Sequence, residues 1–139
     1  MELLKRIKNS IKFIAIIAVV YAIKYTLVAK VSVLIVNSYS GQTLNKFYNF
    51  SFVFFSIPYV IFYFFVGIMV MLFLKQGKWL VAIGCFEMLL LVFRLKNTYF
   101  NSPGIFDYLF VAFPYLVAPL SLFMGYRAFN RFQKGKEKY

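Results

Sequence analysis

Residues 14–36 read IAIIAVVYAIKYTLVAKVSVLIV, an apolar run long enough to cross a bilayer but interrupted by two lysines. Lys24 falls near the middle of this run, and Lys30 falls closer to its end. A charge at the centre of a membrane helix costs about 2.5–3.5 kcal/mol on insertion scales, so it needs a polar partner or a route to the interface. We interpret Lys30 as a side chain that extends to the interface, which leaves Lys24 as the charge to be explained.

The composition of the chain is typical of a membrane protein. Of its 139 residues, 63% are hydrophobic and only 14% are charged, whereas a soluble domain of this length exposes far more charge. Four apolar runs, near 13–36, 50–74, 79–95 and 107–126, are each close to the ~20 residues that a membrane helix needs. The sequence therefore predicts an all-α fold, with four transmembrane helices in a single domain over 1–139 and a basic tail over 127–139.

Positively charged residues are concentrated on one side of the predicted spans. The side that would hold both termini carries most of them, namely Lys5, Arg6, Lys8, Lys12, Lys75, Lys78, Arg127, Arg131, Lys134, Lys136 and Lys138. The opposite side carries Lys46, Arg94 and Lys96. The positive-inside rule then places both termini in the cytoplasm, or on the matrix or stromal side of an organelle. We expect a bacterial inner membrane or an organelle inner membrane.

Small residues recur on one face of three of the predicted spans. At about 100° per residue, spacings of three, four and seven place them on one stripe per helix, and small residues let helix backbones approach closely. The predicted packing seams contain Ala15, Ala18, Ala22, Ala29 and Ser32 in the first span, Gly84 in the third, and Ala118, Ser121 and Gly125 in the fourth. Lys24 lies about 150° from the first of these seams, so we expect it to face a different neighbour.

Glu87 is the natural candidate to meet Lys24. It lies on the packing face of the third span and near the middle of that span, at a depth similar to that of Lys24. We expect the two to interact directly or through water, with the hydroxyls of Ser56, Tyr59 and Tyr63 on a neighbouring stripe. The alternatives for Lys24 are contact with another subunit or a lipid headgroup, or a role in transport. For Glu87 the alternative is a proton-coupled or cation-coupled site.

The C-terminal tail places Arg127, Arg131, Lys134 and Lys138 on one stripe of a helix that continues the fourth span. A basic cluster next to a membrane usually binds anionic lipid, at about 1 kcal/mol per residue. An acidic surface of a partner subunit is the other possibility. No nucleic-acid recognition module is recognisable, so nucleic acid is not an expected partner.

The residue types that carry most enzyme chemistry are scarce. The chain has no histidine, four acidic residues and a single cysteine, and it lacks phosphate-binding and nucleophile motifs, so we expect no catalysis, no metal and no cofactor. The sequence favours a non-catalytic accessory or assembly subunit of a larger membrane complex, with membrane lipids and other membrane subunits as partners. The alternative is a small homo-oligomeric transporter, flippase or channel that uses Glu87 and Lys24 as intramembrane charges.

Overall fold

The computed structural model describes residues 1–38, 51–98 and 104–136, so Lys46 and Lys138 lie outside the described residues. Within these ranges every regular element is helical, which confirms the all-α prediction. The elements are α1 (Glu2–Ile23), a π-helical turn (Lys24–Val28), α2 (Ala29–Ser38), α3 (Ser51–Leu74), α4 (Lys78–Asn97) and α5 (Ile105–Lys136). The first three form one continuous helix, Glu2–Ser38.

Three of the described helices are long and apolar enough to cross a membrane: Glu2–Ser38, Phe52–Leu74 and Asp107–Lys136. The helix α4 is not among them, because Lys78, Glu87, Arg94 and Lys96 give it too much charge. The helices are compatible with a multi-pass membrane protein. Both α1 and α5 extend beyond the predicted spans, since the lysines and arginines at these ends are good helix formers that continue each helix.

The helix α3 occupies the centre of the bundle. It packs most extensively against α5 and, on another side, against the helix that α1, the π turn and α2 form. The helix α4 packs chiefly against α5. The core between these helices contains apolar side chains such as Val70, Ile83 and Leu122, each at most 2% exposed.

Two glycines permit the close approach of α3 and α5. A Cβ atom added at Gly67 would lie 2.6 Å from the carbonyl oxygen of Leu122, and one added at Gly125 would overlap the carbonyl oxygen of Phe64. On the same face of α5, Ala118 and Ser121 are also buried. The seam predicted for the fourth span therefore faces α3, and Gly67 is its counterpart, which sequence analysis did not single out.

The alanine seam of the first span is placed differently. Ala15, Ala18 and Ala22 are exposed, and Ala29 is half-buried, so the three exposed alanines are not part of the core that the described residues form. The inward face of this helix contains buried Val20, Lys24 and Val28 instead, together with Ser32, the one residue of the predicted seam that is fully buried. Turning Lys24 toward the interior of the bundle turns the opposite side of the helix, with its alanines, outward.

The contact between Gly67 and Gly125 yields a stability prediction. Gly67→Ala places a methyl group against a backbone carbonyl that has no free rotation, so we expect the free energy of unfolding to fall by ~1–3 kcal/mol. The measurement is unfolding in mixed detergent micelles, followed by circular dichroism. Gly135→Ala is the matched control, because a Cβ atom there meets nothing within 4 Å. Equal losses in both variants would contradict the close approach.

Candidate functional site

Lys24 begins the π-helical turn, where the amide of Ala29 donates to the Lys24 carbonyl, five residues earlier. In a regular α-helix, residues spaced four apart drift by about 40° per step. A π turn is wider, so it reduces this drift and keeps Val20, Lys24, Val28 and Ser32 on the inward face. Single π turns within α-helices are frequent at functional sites. The local backbone therefore orients Lys24 toward the centre of the bundle.

The structure brings Lys24 and Glu87 into direct contact. The ammonium Nζ of Lys24 lies 2.8 Å from Oε2 and 3.1 Å from Oε1 of Glu87, so it donates to both carboxylate oxygens. The two side chains are only 5% and 0% exposed. At this burial the ion pair is not weakened by solvent in the way that a surface pair is.

Two tyrosines complete the hydrogen bonding of the Glu87 carboxylate. The hydroxyls of Tyr21 and Tyr63 each donate to Oε1 at 2.5 Å. Tyr63 was one of the predicted hydroxyls, whereas Tyr21 was missed. The available signal was spacing, because Tyr21 precedes Lys24 by three residues and so lies on the same side of α1. Hydrogen bonds to an ionised acceptor are stronger than neutral ones, so these tyrosines reduce the cost of burying the charge.

The other two predicted hydroxyls have different roles. Ser56 donates to the carbonyl of Phe52 at 2.7 Å, within its own helix, as a serine in a helix commonly does. Tyr59 is buried and packs beside Phe55, with their ring centroids 5.7 Å apart. Neither hydroxyl donates to Glu87. Sequence spacing placed them on a suitable stripe, but their depth along α3 differs from that of Tyr63.

Four tyrosine rings surround the Lys24 ammonium. Its Nζ lies 4.6 Å from the centroid of Tyr115, 5.3 Å from Tyr21, 5.4 Å from Tyr25 and 5.6 Å from Tyr63. Ring faces within about 6 Å attract a cation, the more so where water is excluded. Glu87 comes from α4 and the rings come from α1, the π turn, α3 and α5, so each long helix contributes to one charge network.

A cavity of about 450 Å³ borders this network. Lys24 and Arg94 supply its two cationic lining residues, and Tyr59, Tyr115 and Phe110 are among its aromatic ones. A larger apolar groove of about 870 Å³ runs between α4 and α5. Gly84 lines this groove and is buried. A Cβ atom added at Gly84 would lie 3.8 Å from the Cβ atom of Pro119 on α5, so the predicted seam residue of the third span packs against α5.

The basic residues of the tail lie on the last turns of α5. Arg127, Arg131 and Lys134 are exposed, and the helix continues to Lys136. The predicted stripe is therefore helical over its described part. Within the three described ranges, no three His, Cys, Asp or Glu side chains come together in a group that could hold a metal ion.

Together, the fold and the site define an all-helical chain, compatible with a membrane, whose helices surround a buried lysine–glutamate–tyrosine network. Comparison with protein-family models, with characterised proteins and with solved structures finds no match for this chain.

The ion pair predicts non-additive mutational effects. Lys24→Met leaves a buried carboxylate without its cation, so we expect it to lower the free energy of unfolding by about 3–5 kcal/mol. Adding Glu87→Gln removes the orphaned charge and keeps a carbonyl oxygen for the tyrosine hydroxyls, so the double variant should regain part of that loss. Unfolding in detergent and the amount of protein accumulated in the membrane measure both effects. Strictly additive losses would show that the pair is not coupled.

The hydrogen bonds of the tyrosine hydroxyls predict that Tyr63→Phe and Tyr25→Phe differ in stability. Tyr63→Phe removes a bond to an ionised acceptor, which is worth about 1.5–3 kcal/mol of stability. Tyr25→Phe is the matched control, because it keeps a ring 5.4 Å from Lys24 and removes a hydroxyl that does not donate to Glu87. The same unfolding experiment compares the two. If Tyr25→Phe destabilises as much as Tyr63→Phe, the assigned hydrogen bond is wrong.

Proposed function

We propose that this chain is a four-span protein of a bacterial or organelle inner membrane, with both termini on the positively charged side. We include α4 as the fourth span although its charged residues set it apart from the three helices that are apolar enough to cross a membrane. Glu87 is buried and paired inside the bundle, and Lys78, Arg94 and Lys96 lie near the helix ends, where long side chains reach the interface. The concentration of lysine and arginine in the N-terminal segment, the 75–78 link and the tail supports this orientation.

Within that membrane, the function that the geometry supports best is a non-catalytic accessory or assembly subunit of a larger complex. The observation that carries this proposal is the exposed alanine stripe, Ala15, Ala18 and Ala22, on α1. Lipid gives apolar surfaces little reason to associate, so small residues at regular spacing are typical of helix–helix contacts. A partner helix on this stripe would explain why the face is lined by alanine.

The buried network supports the same proposal from inside the chain. Lys24 donates to Glu87, and Glu87 also accepts from Tyr21 and Tyr63. Both intramembrane charges therefore have a role in holding the helices together. The exposed Arg127, Arg131 and Lys134 extend α5 where anionic headgroups lie, and we propose that they bind anionic lipid. In this proposal the chain has a buried charge network that joins its helices, a basic surface that binds lipid and an outward face that binds a partner.

The alanine stripe can be tested directly. Ala18→Phe places a large ring where a partner backbone would approach, so we expect the chain to lose its partner polypeptides on extraction in mild detergent, while its own unfolding midpoint is unchanged. Native mass spectrometry of the extracted particle measures this. Ala82→Phe is the matched control, because Ala82 is also exposed but lies on α4. Retention of all partners by Ala18→Phe would count against the stripe as the interface.

A small homo-oligomeric transporter, flippase or channel is the second candidate, and the cavity beside Lys24 is the observation that favours it. In that case native mass spectrometry would find only copies of this chain. Glu87→Gln leaves the buried Lys24 ammonium without its carboxylate in either case, so transport is measured per amount of accumulated protein. A transporter would lose that transport, whereas a subunit would show only a loss of abundance or incorporation. The subunit proposal is preferred because the carboxylate is bound by three donors from two other helices.

A further inference from the structure

The cavity of about 450 Å³ beside the charge network has a chemistry that the proposed function does not use. Its volume lies within the range of about 300–1,000 Å³ that is usual for small-molecule sites. Its walls come from the π turn, α2, α3, α4 and α5, so it lies between helices, and it is open at the side where Tyr25, Phe93 and Arg94 are exposed. Six of its lining side chains are aromatic: Tyr25, Phe55, Tyr59, Phe93, Phe110 and Tyr115.

Among the described residues that line the cavity, the charged ones are Lys24 and Arg94, and none is Asp or Glu. The charge on the cavity wall is therefore positive. Glu87 is turned toward Lys24, Tyr21 and Tyr63 and does not line the cavity. Lys24 is neutralised by that carboxylate, but Arg94 is exposed and its charge is available to a ligand. The cavity therefore favours an anion.

Arg94 and Lys24 lie at different depths. Arg94 follows Glu87 by seven residues on α4, so at 1.5 Å per residue it lies about 10 Å nearer the end of that helix. The aromatic walls fill the distance between the two levels. A ligand that satisfies both regions carries its anionic group at Arg94 and an apolar chain that extends inward toward Tyr115.

We propose that this cavity binds a single-chain anionic amphiphile, whose phosphate or carboxylate pairs with Arg94 and whose apolar chain enters the aromatic cavity. A guanidinium suits this role because its planar donors match both oxyanions in a two-bond geometry. The site lies toward the end of α4 that is opposite the basic tail, so it is distinct from the lipid contact proposed for Arg127, Arg131 and Lys134. It requires no partner subunit and goes beyond the proposed function.

The test compares three probes of equal chain length, dodecyl phosphate, dodecanoate and dodecanol, by the unfolding midpoint of the purified chain in a non-ionic detergent. A ligand that binds only the folded state raises this midpoint as its concentration passes its dissociation constant. We expect one or both anions to act at lower concentration than dodecanol. An effect of the phosphate alone indicates a phosphate-bearing lipid, and an effect of dodecanoate alone indicates a fatty acid.

Two variants locate the effect. Arg94→Gln should raise the concentration of anion required by about tenfold or more, as expected for the loss of one charged hydrogen-bonding partner. Lys96→Gln is the matched control, because it removes an exposed cation from the same end of α4 that does not line the cavity. Equal behaviour of the two variants, or equal potency of dodecanol and the anions, would overturn the proposal.

A third variant tests the aromatic part of the cavity. Ala29 lines the cavity and is half-buried, so Ala29→Phe should fill it and remove the stabilisation by all three probes. Circular dichroism establishes that this variant is folded. If it is not, the comparison of Arg94→Gln with Lys96→Gln decides the proposal alone. A folded Ala29→Phe variant that still responds to the anions at the original concentration would contradict it.

Discussion

The pairing of Lys24 with Glu87 is the interaction on which the rest of this structure depends. Each charge alone is costly in the water-excluded centre of the bundle, and the pair is stable there because the carboxylate accepts from the lysine and from two tyrosines. The donors and rings come from every long helix, so the network forms only when all of them are assembled at one register. A bundle of otherwise interchangeable apolar surfaces thereby acquires a specific arrangement.

The same constraint determines which surfaces face outward. With Lys24 turned inward by the π turn, the alanines on the other side of α1 are left exposed, although small residues of this kind usually pack against a helix. At the centre of the bundle the opposite holds, because Gly67 and Gly125 bring α3 and α5 into backbone contact. Small residues thus serve a close contact inside the chain on α5, whereas on α1 they face outward, where we propose that a partner helix packs.

The charge network and the neighbouring cavity share two of their tyrosines. Tyr25 and Tyr115 face the Lys24 ammonium, and they also line the cavity. The carboxylate of Glu87 holds Lys24 in place and leaves Arg94 as the exposed cation of the cavity. In the proposed ligand site, folding and recognition would therefore be separable, because different charges carry them.

The sequence alone determined the helical class, the positions of the apolar runs and the identity of the two central charges, because these depend on local hydropathy and on the cost of charge in lipid. Helical spacing also identified the face of α5 that packs, with Gly125 at its closest contact. Tertiary structure decided that Tyr21 and Tyr115 join the network, that Ser56 does not, and that Ala15, Ala18 and Ala22 face outward. These outcomes depend on the relative depth and rotation of separate helices and on one π turn, which a regular period of 100° per residue does not encode.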